Sequence, residues 1–175
     1  YAFSGKITTL RWQEEVAKIV RKLQPDCYLV TGNGLATEIR DGLFNWIPEL
    51  DAIARSEGDT VILNIVHDAQ LIKEKGIRGA LNSNQIRADS IKEIGSKHRF
   101  TYEGNRPPNL DDIPYGALDL LESDPHGHNV LEDYIKVPVW GVAANNSSAT
   151  PFTMERSLTT VSSRGCPYAC AFCYR

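Results

Sequence analysis

Methionine is nearly missing from this chain: Met154 is the only one, and the first residue is Tyr1. With Cys173 standing two residues from the other end, the expectation is a piece of a longer polypeptide, open at both ends. No apolar run approaches the roughly 18 residues that a membrane-crossing helix needs, so a helical span is not expected. The opening stretch, residues 1–10, lacks a charged start followed by an apolar core, which argues against a secretory signal peptide. Neither sign of charge dominates. Nineteen Lys and Arg against 22 Asp and Glu give a net charge of −3 and a pI near 5.8, which disfavours a broadly nucleic-acid-binding surface but leaves room for a local basic patch. Internal repeats and low-complexity tracts are also missing. What remains, 42% hydrophobic and 23% charged residues, is an ordinary globular composition that can bury a core.

The apolar pattern alternates between helical and strand periods. Trp12, Val16, Ile19, Val20 and Leu23 share one face of a helix over 11–23, and Gln24-Pro25-Asp26 ends it. Residues 27–31 read as a short buried strand, Gly32-Asn33-Gly34 as a tight turn, 37–46 as a second helix and 52–55 as a second strand. That rhythm is the mark of a parallel α/β sheet, whose ligands bind beyond the carboxyl ends of the strands. Gly32 and Gly34 fall at such an end, although a lone Gly-x-Gly also suits a plain strand-to-helix turn.

Asp59 is placed to cap a helix running to about residue 73, with Ile62, Ile65, Val66 and Ala69 inward. Its β-branched run 61–66 taken alone favours a strand. Beyond it, 77–81 and 99–102 read as short strands, making a small hairpin-like insert. Residues 105–114, rich in proline and turn formers, read as an extended linker. A short helix over 115–121, a solvated loop at 124–129 carrying His126 and His128, and an extended apolar segment over 134–141 complete this part. Asn145 heads a glycosylation sequon that matters only in a secreted chain.

Three of the four cysteines lie within eight residues, as Cys166, Cys170 and Cys173, after a β-prone run at 158–161. Thiolates at that pitch can converge on one soft metal centre. Structural zinc wants four closed ligands, and an electron-carrying iron–sulfur cluster wants four cysteines, but here only three are at hand. The fourth, Cys27, lies far upstream in the expected buried strand. A three-thiolate cluster with one iron left open is the economical reading. A zinc knuckle or a ferredoxin-like carrier would each need a further ligand beyond Arg175. An odd cysteine count in one short loop makes a poor disulfide staple.

The segment Ser163-Arg-Gly-Cys-Pro-Tyr-Ala-Cys-Ala-Phe-Cys-Tyr174 resembles the cluster loop of radical S-adenosylmethionine (radical SAM) enzymes, in the branch with an upstream cobalamin-binding-type domain. The resemblance implies that Cys166, Cys170 and Cys173 ligate three irons of a [4Fe–4S] cluster. The amine and carboxylate of S-adenosylmethionine take the fourth iron, and an electron from the cluster cleaves the sulfonium to give a 5′-deoxyadenosyl radical. Phe172 would pack near the adenine, while Gly165 and Pro167 shape the loop. Arg164 and Arg175 flank the thiolates, where they are either solvated or offset the cluster's charge. An oxygen-sensitive cluster implies a reducing, cytoplasmic location and an electron donor such as flavodoxin or ferredoxin. The small-molecule substrate stays unnamed.

The upstream part resembles the back half of that cobalamin-binding domain, in Pro25-Asp26, Thr31-Gly32-Asn33-Gly34 and Ser56-Glu57-Gly58-Asp59. Ser56 and Asp59 replace the usual Gly and Glu. The Asp-x-His-x-x-Gly element that carries the lower cobalt ligand does not occur in these residues, so cobalamin, with Gly32 and Gly34 beside it, rests on resemblance alone. Leu-Asp-Asp-Ile-Pro at 110–114 resembles the hinge that leads to the barrel. The implied architecture is α/β throughout: a partial Rossmann-like sheet over 1–75, an insert and linker over 76–155, and the first strand and cluster loop of a TIM-like barrel over 156–175.

Overall fold

The computed structural model describes residues 1–136, 164–168 and 170–171. It divides into two compact units, Tyr1–Pro114 and Tyr115–Arg175. The first is an α/β unit built on a five-stranded sheet. Strands β1 (Ala2–Ser4), β2 (Val30–Gly32), β3 (Ala52–Ser56) and β5 (Lys97–Gly104) run parallel in that spatial order, and β4 (Ser90–Ile94) closes the far edge antiparallel to β5. The parallel-dominated sheet is consistent with the Rossmann-like α/β class expected above. The barrel's first strand was expected at residues 158–161, outside the described residues.

Helices α1 (Leu10–Leu23), α2 (Asn33–Ile39), α3 (Leu43–Trp46) and α4 (Gly58–Asn82) connect the strands. Side chains alternate across a strand, so Leu29 and Ile53 point to one face of the sheet and Val30 and Ala52 to the other. The first pair joins Ala17, Leu35, Leu43, Phe44 and Ile47 in one core. The second joins Val61, Ile65, Phe100 and Tyr102 in another. Arg21 and Arg99 pin the amino ends of the strands. The Arg21 guanidinium donates to the Cys27 and Glu49 carbonyls at 2.7 and 2.6 Å and pairs with Asp51 at 2.6 Å; Arg99 donates to the carbonyls of Leu50 and Pro48 and stacks over Phe44.

Several expectations are corrected. Helix α1 forms, but it is rotated: Leu10, Gln13 and Ala17 are buried, while Trp12, Ile19 and Leu23 are exposed. Gln13 wins the inward place because its amide is matched there, accepting from the Thr31 hydroxyl at 2.7 Å and donating to Thr9 Oγ1 at 3.2 Å. The helix expected over 37–46 starts earlier and is broken at Arg40, whose φ is 56°. Helix is the outcome for 61–66, yet Asp59 is not its cap: Glu57 occupies that position, and Ile62 and Val66 face outward. The strand expected over 77–81 is the last part of α4, beyond a kink at Gly76.

The hairpin forms one turn later, between β4 and β5. Its second strand lies parallel to β3 over five residue pairs, so it is part of the main sheet. In the second unit, 3-10 turns occupy Leu118–Leu121, and α5 (Val130–Lys136) takes the start of the segment expected to be extended. The rest of that segment and the sequon at Asn145 lie outside the described residues. No helix among the described residues is long and apolar enough to cross a membrane.

Candidate functional site

The carboxyl edge of the sheet is formed by the ends of the parallel strands, with Ser4 beside Gly32 and Ser56 beside Gly104 in register. Right after β2, Asn33 adopts a left-handed φ of 71°, a conformation that Asn tolerates better than most residues. Its Nδ2 donates to Ser4 Oγ at 3.0 Å, and its Oδ1 accepts from the Gly34 N–H at 2.6 Å. One turn into α2, the Thr37 hydroxyl donates to the Asn33 carbonyl and accepts from the Ser56 N–H, both at 3.0 Å. Ser56 is itself left-handed, at φ 59°. The turns after β2 and β3 are therefore joined through one oxygen.

The glycines at this edge do two different jobs. At Gly104 a Cβ would overlap the Glu57 carbonyl, so that glycine permits two backbones to touch. At Gly32 a Cβ would meet only Ala54, at 3.5 and 3.6 Å, and at Gly58 it would meet nothing within 4 Å. These two positions leave backbone uncovered between the side chains of Ser4, Asn33 and Ser56. A position without a side chain lets a broad, flat ligand approach the backbone closely, and in that respect Gly32 and Gly58 fit a corrin ring in kind. Gly34, the second glycine expected to serve it, sits half-buried beside Asn33.

A buried polar chain links α4 to β5. Asp68, fully buried on α4, accepts from the N–H groups of Arg87 and Ala88 at 2.9 Å and from the Tyr102 hydroxyl at 3.0 Å, and it contacts His67 Nδ1 at 2.9 Å. Tyr28 and Tyr102 meet hydroxyl to hydroxyl at 3.0 Å. Burial, foremost, pushes both phenols above their ordinary value of 10, so both stay protonated.

The second candidate is the cysteine loop. Cys166 and Cys170 are free and exposed, and Gly165 is left-handed at φ 88°. These are two free thiols four residues apart, thiolate donors of the kind that iron–sulfur clusters use. Cys173, Phe172 and Arg175 lie outside the described residues. Among the described residues no group of three or more His, Cys, Asp and Glu gathers. Cys27 is half-buried against the core of the first unit.

Within the second unit, His126 and His128 belong to a tight turn. Asp124 Oδ1 accepts from both of their N–H groups at 2.8 Å, and Gly127 is left-handed at φ 80°. The His128 N–H bond leads the causes that hold the Asp124 carboxyl below its ordinary range. His128 Nε2 meets Asp133 Oδ2 at 2.6 Å, and that hydrogen bond, above all, raises the imidazole.

No protein-family model matches this chain, and no solved structure matches it. Two curated proteins do. An uncharacterized methyltransferase of Pyrococcus horikoshii is 28% identical over 163 residues, covering 90% of this chain and 27% of that protein. The anaerobic magnesium-protoporphyrin IX monomethyl ester cyclase of Rubrivivax gelatinosus is 26% identical over 160 residues, covering 91% of this chain and 24% of that protein. Both carry the names of enzymes. The chain spans about a quarter of the length of these relatives.

Sequence reasoning placed Asn33 in the turn after the strand without giving it a role, and it missed Ser4 and Thr37 at the edge. The signal was present in part: an Asn directly after the strand-ending Gly32 is a natural left-handed residue, and a Thr four positions on can reach its carbonyl.

Proposed function

We propose that this chain supplies a cobalamin-binding-type α/β domain and the cluster loop of a radical SAM enzyme. The observation that carries the reading is the twelve-residue context of Cys166, Cys170 and Cys173, two of which are free, exposed thiols. Cys166, Cys170 and Cys173 would hold a [4Fe–4S] cluster, and Phe172 would pack on the adenine of S-adenosylmethionine. When bound, the cluster supplies the electron that cleaves the sulfonium. The edge at Gly32 and Gly58, with Gly34 beside it, would take cobalamin.

The names of the two relatives support the outcomes open to such a site. A methyltransferase suits methyl transfer with cobalamin present, and a cyclase suits hydrogen abstraction followed by ring closure. A flavodoxin or ferredoxin would serve as electron donor.

The test is anaerobic purification of the intact polypeptide. Iron and sulfide at about four each per chain are expected. Cys170→Ala should abolish reductive cleavage of S-adenosylmethionine, and full retention of cleavage would refute the assignment. One zinc with no sulfide would favour a structural metal module instead.

A further inference from the structure

We infer that Thr37 is the positioning residue of the cobalamin edge, a single hydroxyl that holds two ligand-facing turns in one shape. The inference rests on the reading of that edge as a cobalamin site. Asn33 directly follows β2 and Ser56 ends the adjacent parallel strand β3, and both are non-glycine residues in the left-handed region, at φ 71° and 59°. Such conformations are sparsely populated, and they persist where surrounding contacts over-determine them. The Thr37 side chain touches the backbone of both. It donates its proton to the Asn33 carbonyl and receives the Ser56 N–H, each at 3.0 Å.

A hydroxyl can donate once and accept twice, so Thr37 fills both roles without competition. Asn33 extends the tie to a third strand through Ser4 Oγ. Ser4, Asn33, Thr37 and Ser56 thus form one hydrogen-bonded line across the ends of β1, β2 and β3. Gly32 and Gly58, the two bare positions, flank this line in sequence at its second and third turns. A flat ligand resting there meets backbone whose course is set by Thr37. The side chain itself acts through the turns and needs no contact with the ligand.

Valine has the shape of threonine without the hydroxyl, and serine keeps the hydroxyl without the methyl. The experiment titrates hydroxocobalamin into the intact polypeptide and its Thr37→Val and Thr37→Ser variants, followed by the shift of the corrin absorption. Hydrogen exchange at the Ser56 amide and at the β5 amides is read on the same samples. Thr37→Val is expected to weaken binding about tenfold or more and to lose protection at Ser56 while β5 stays protected. Thr37→Ser should restore both. Unchanged affinity in Thr37→Val, or equal loss in the valine and serine variants, overturns the inference and leaves the cobalamin reading standing. Loss of β5 protection in Thr37→Val, with cobalamin still bound by Thr37→Ser at reduced affinity, assigns Thr37 to folding and also overturns it. No binding by the unaltered protein overturns the reading and the inference together.

Discussion

Tyr102 donates its hydroxyl to Asp68 at 3.0 Å, joining the middle of β5 to the middle of α4 in full burial. The same carboxylate holds the N–H groups of Arg87 and Ala88, which lead the chain from α4 into β4. Asp68→Ala would strip two part-buried backbone donors of their acceptor and leave the Tyr102 hydroxyl with Tyr28 alone. A donor left unsatisfied costs about 1–3 kcal/mol, less where water can reach it, so a loss of about 2–4 kcal/mol is expected from denaturant unfolding. Tyr102→Phe, which removes only the hydroxyl, should cost about 1–2 kcal/mol. Equal stability of the two variants would show that the anchoring of residues 87–88 contributes nothing.

The two kinds of edge glycine predict opposite outcomes. At Gly104 an added Cβ overlaps the Glu57 carbonyl, a backbone atom that cannot swing away. Gly104→Ala should therefore lower stability by about 2 kcal/mol or more, in the range of overpacked sites. Gly58 stands in open space at the first position of α4, where Ala loses less backbone freedom on folding. Gly58→Ala should be neutral or stabilise by about 0.4–1 kcal/mol. Thermal unfolding of both variants checks the contrast.

Gly32 separates fold from ligand. Its backbone is extended, with φ −135° and ψ −161°, and a Cβ there meets only ordinary contacts. Gly32→Ala should leave the unfolding midpoint within the shift that about 1 kcal/mol produces, whereas Gly32→Leu should in addition block cobalamin by occupying the edge. Undiminished cobalamin affinity in Gly32→Leu would place any such ligand elsewhere.

His128 carries a pH prediction. The hydrogen bond that His128 donates to the Asp133 carboxylate, with the nearby charges of Asp133 and Asp124, raises its pKa above the ordinary 6.5. The pairing between the 124–128 turn and α5 is then fully present below 6.5 and fades as pH rises through the raised value. Both side chains are exposed, so the effect is local. An imidazole titration by NMR should show a midpoint above 6.5 that falls toward it in Asp133→Asn. A midpoint that does not respond to that substitution would remove the pair.

How far the fold can be read from the sequence depends on what each element answers to. Strands β2 and β3 and the helix over 61–66 were legible because turn glycines and an acidic residue in the first turn of α4 punctuate them. The inward faces of α1 and α4 were not. Burial there goes to Gln13 and Asp68, polar residues whose partners Thr31 and Tyr102 lie 18 and 34 positions away, so an apolar tally selects the neighbouring stripe. The end of α4 was missed because Gly76 interrupts the period without ending the helix. At the edge, the turn expected over Gly32-Asn33-Gly34 is a direct passage from β2 into α2 in which Asn33, not a glycine, is left-handed, and Thr37 was not legible, since its second partner, Ser56, is brought near only by the pairing of β2 with β3. The cysteine motif needed no fold to be seen, because metal ligands are chosen by element and spacing.

The most direct test of the radical SAM reading is Mössbauer spectroscopy of the intact, anaerobically purified polypeptide enriched in iron-57, with and without S-adenosylmethionine. Three thiolates and one open iron predict a cluster in which a single iron site changes its parameters when S-adenosylmethionine is added. A cluster whose iron sites all ignore S-adenosylmethionine, or a protein that holds zinc and no iron, would contradict it.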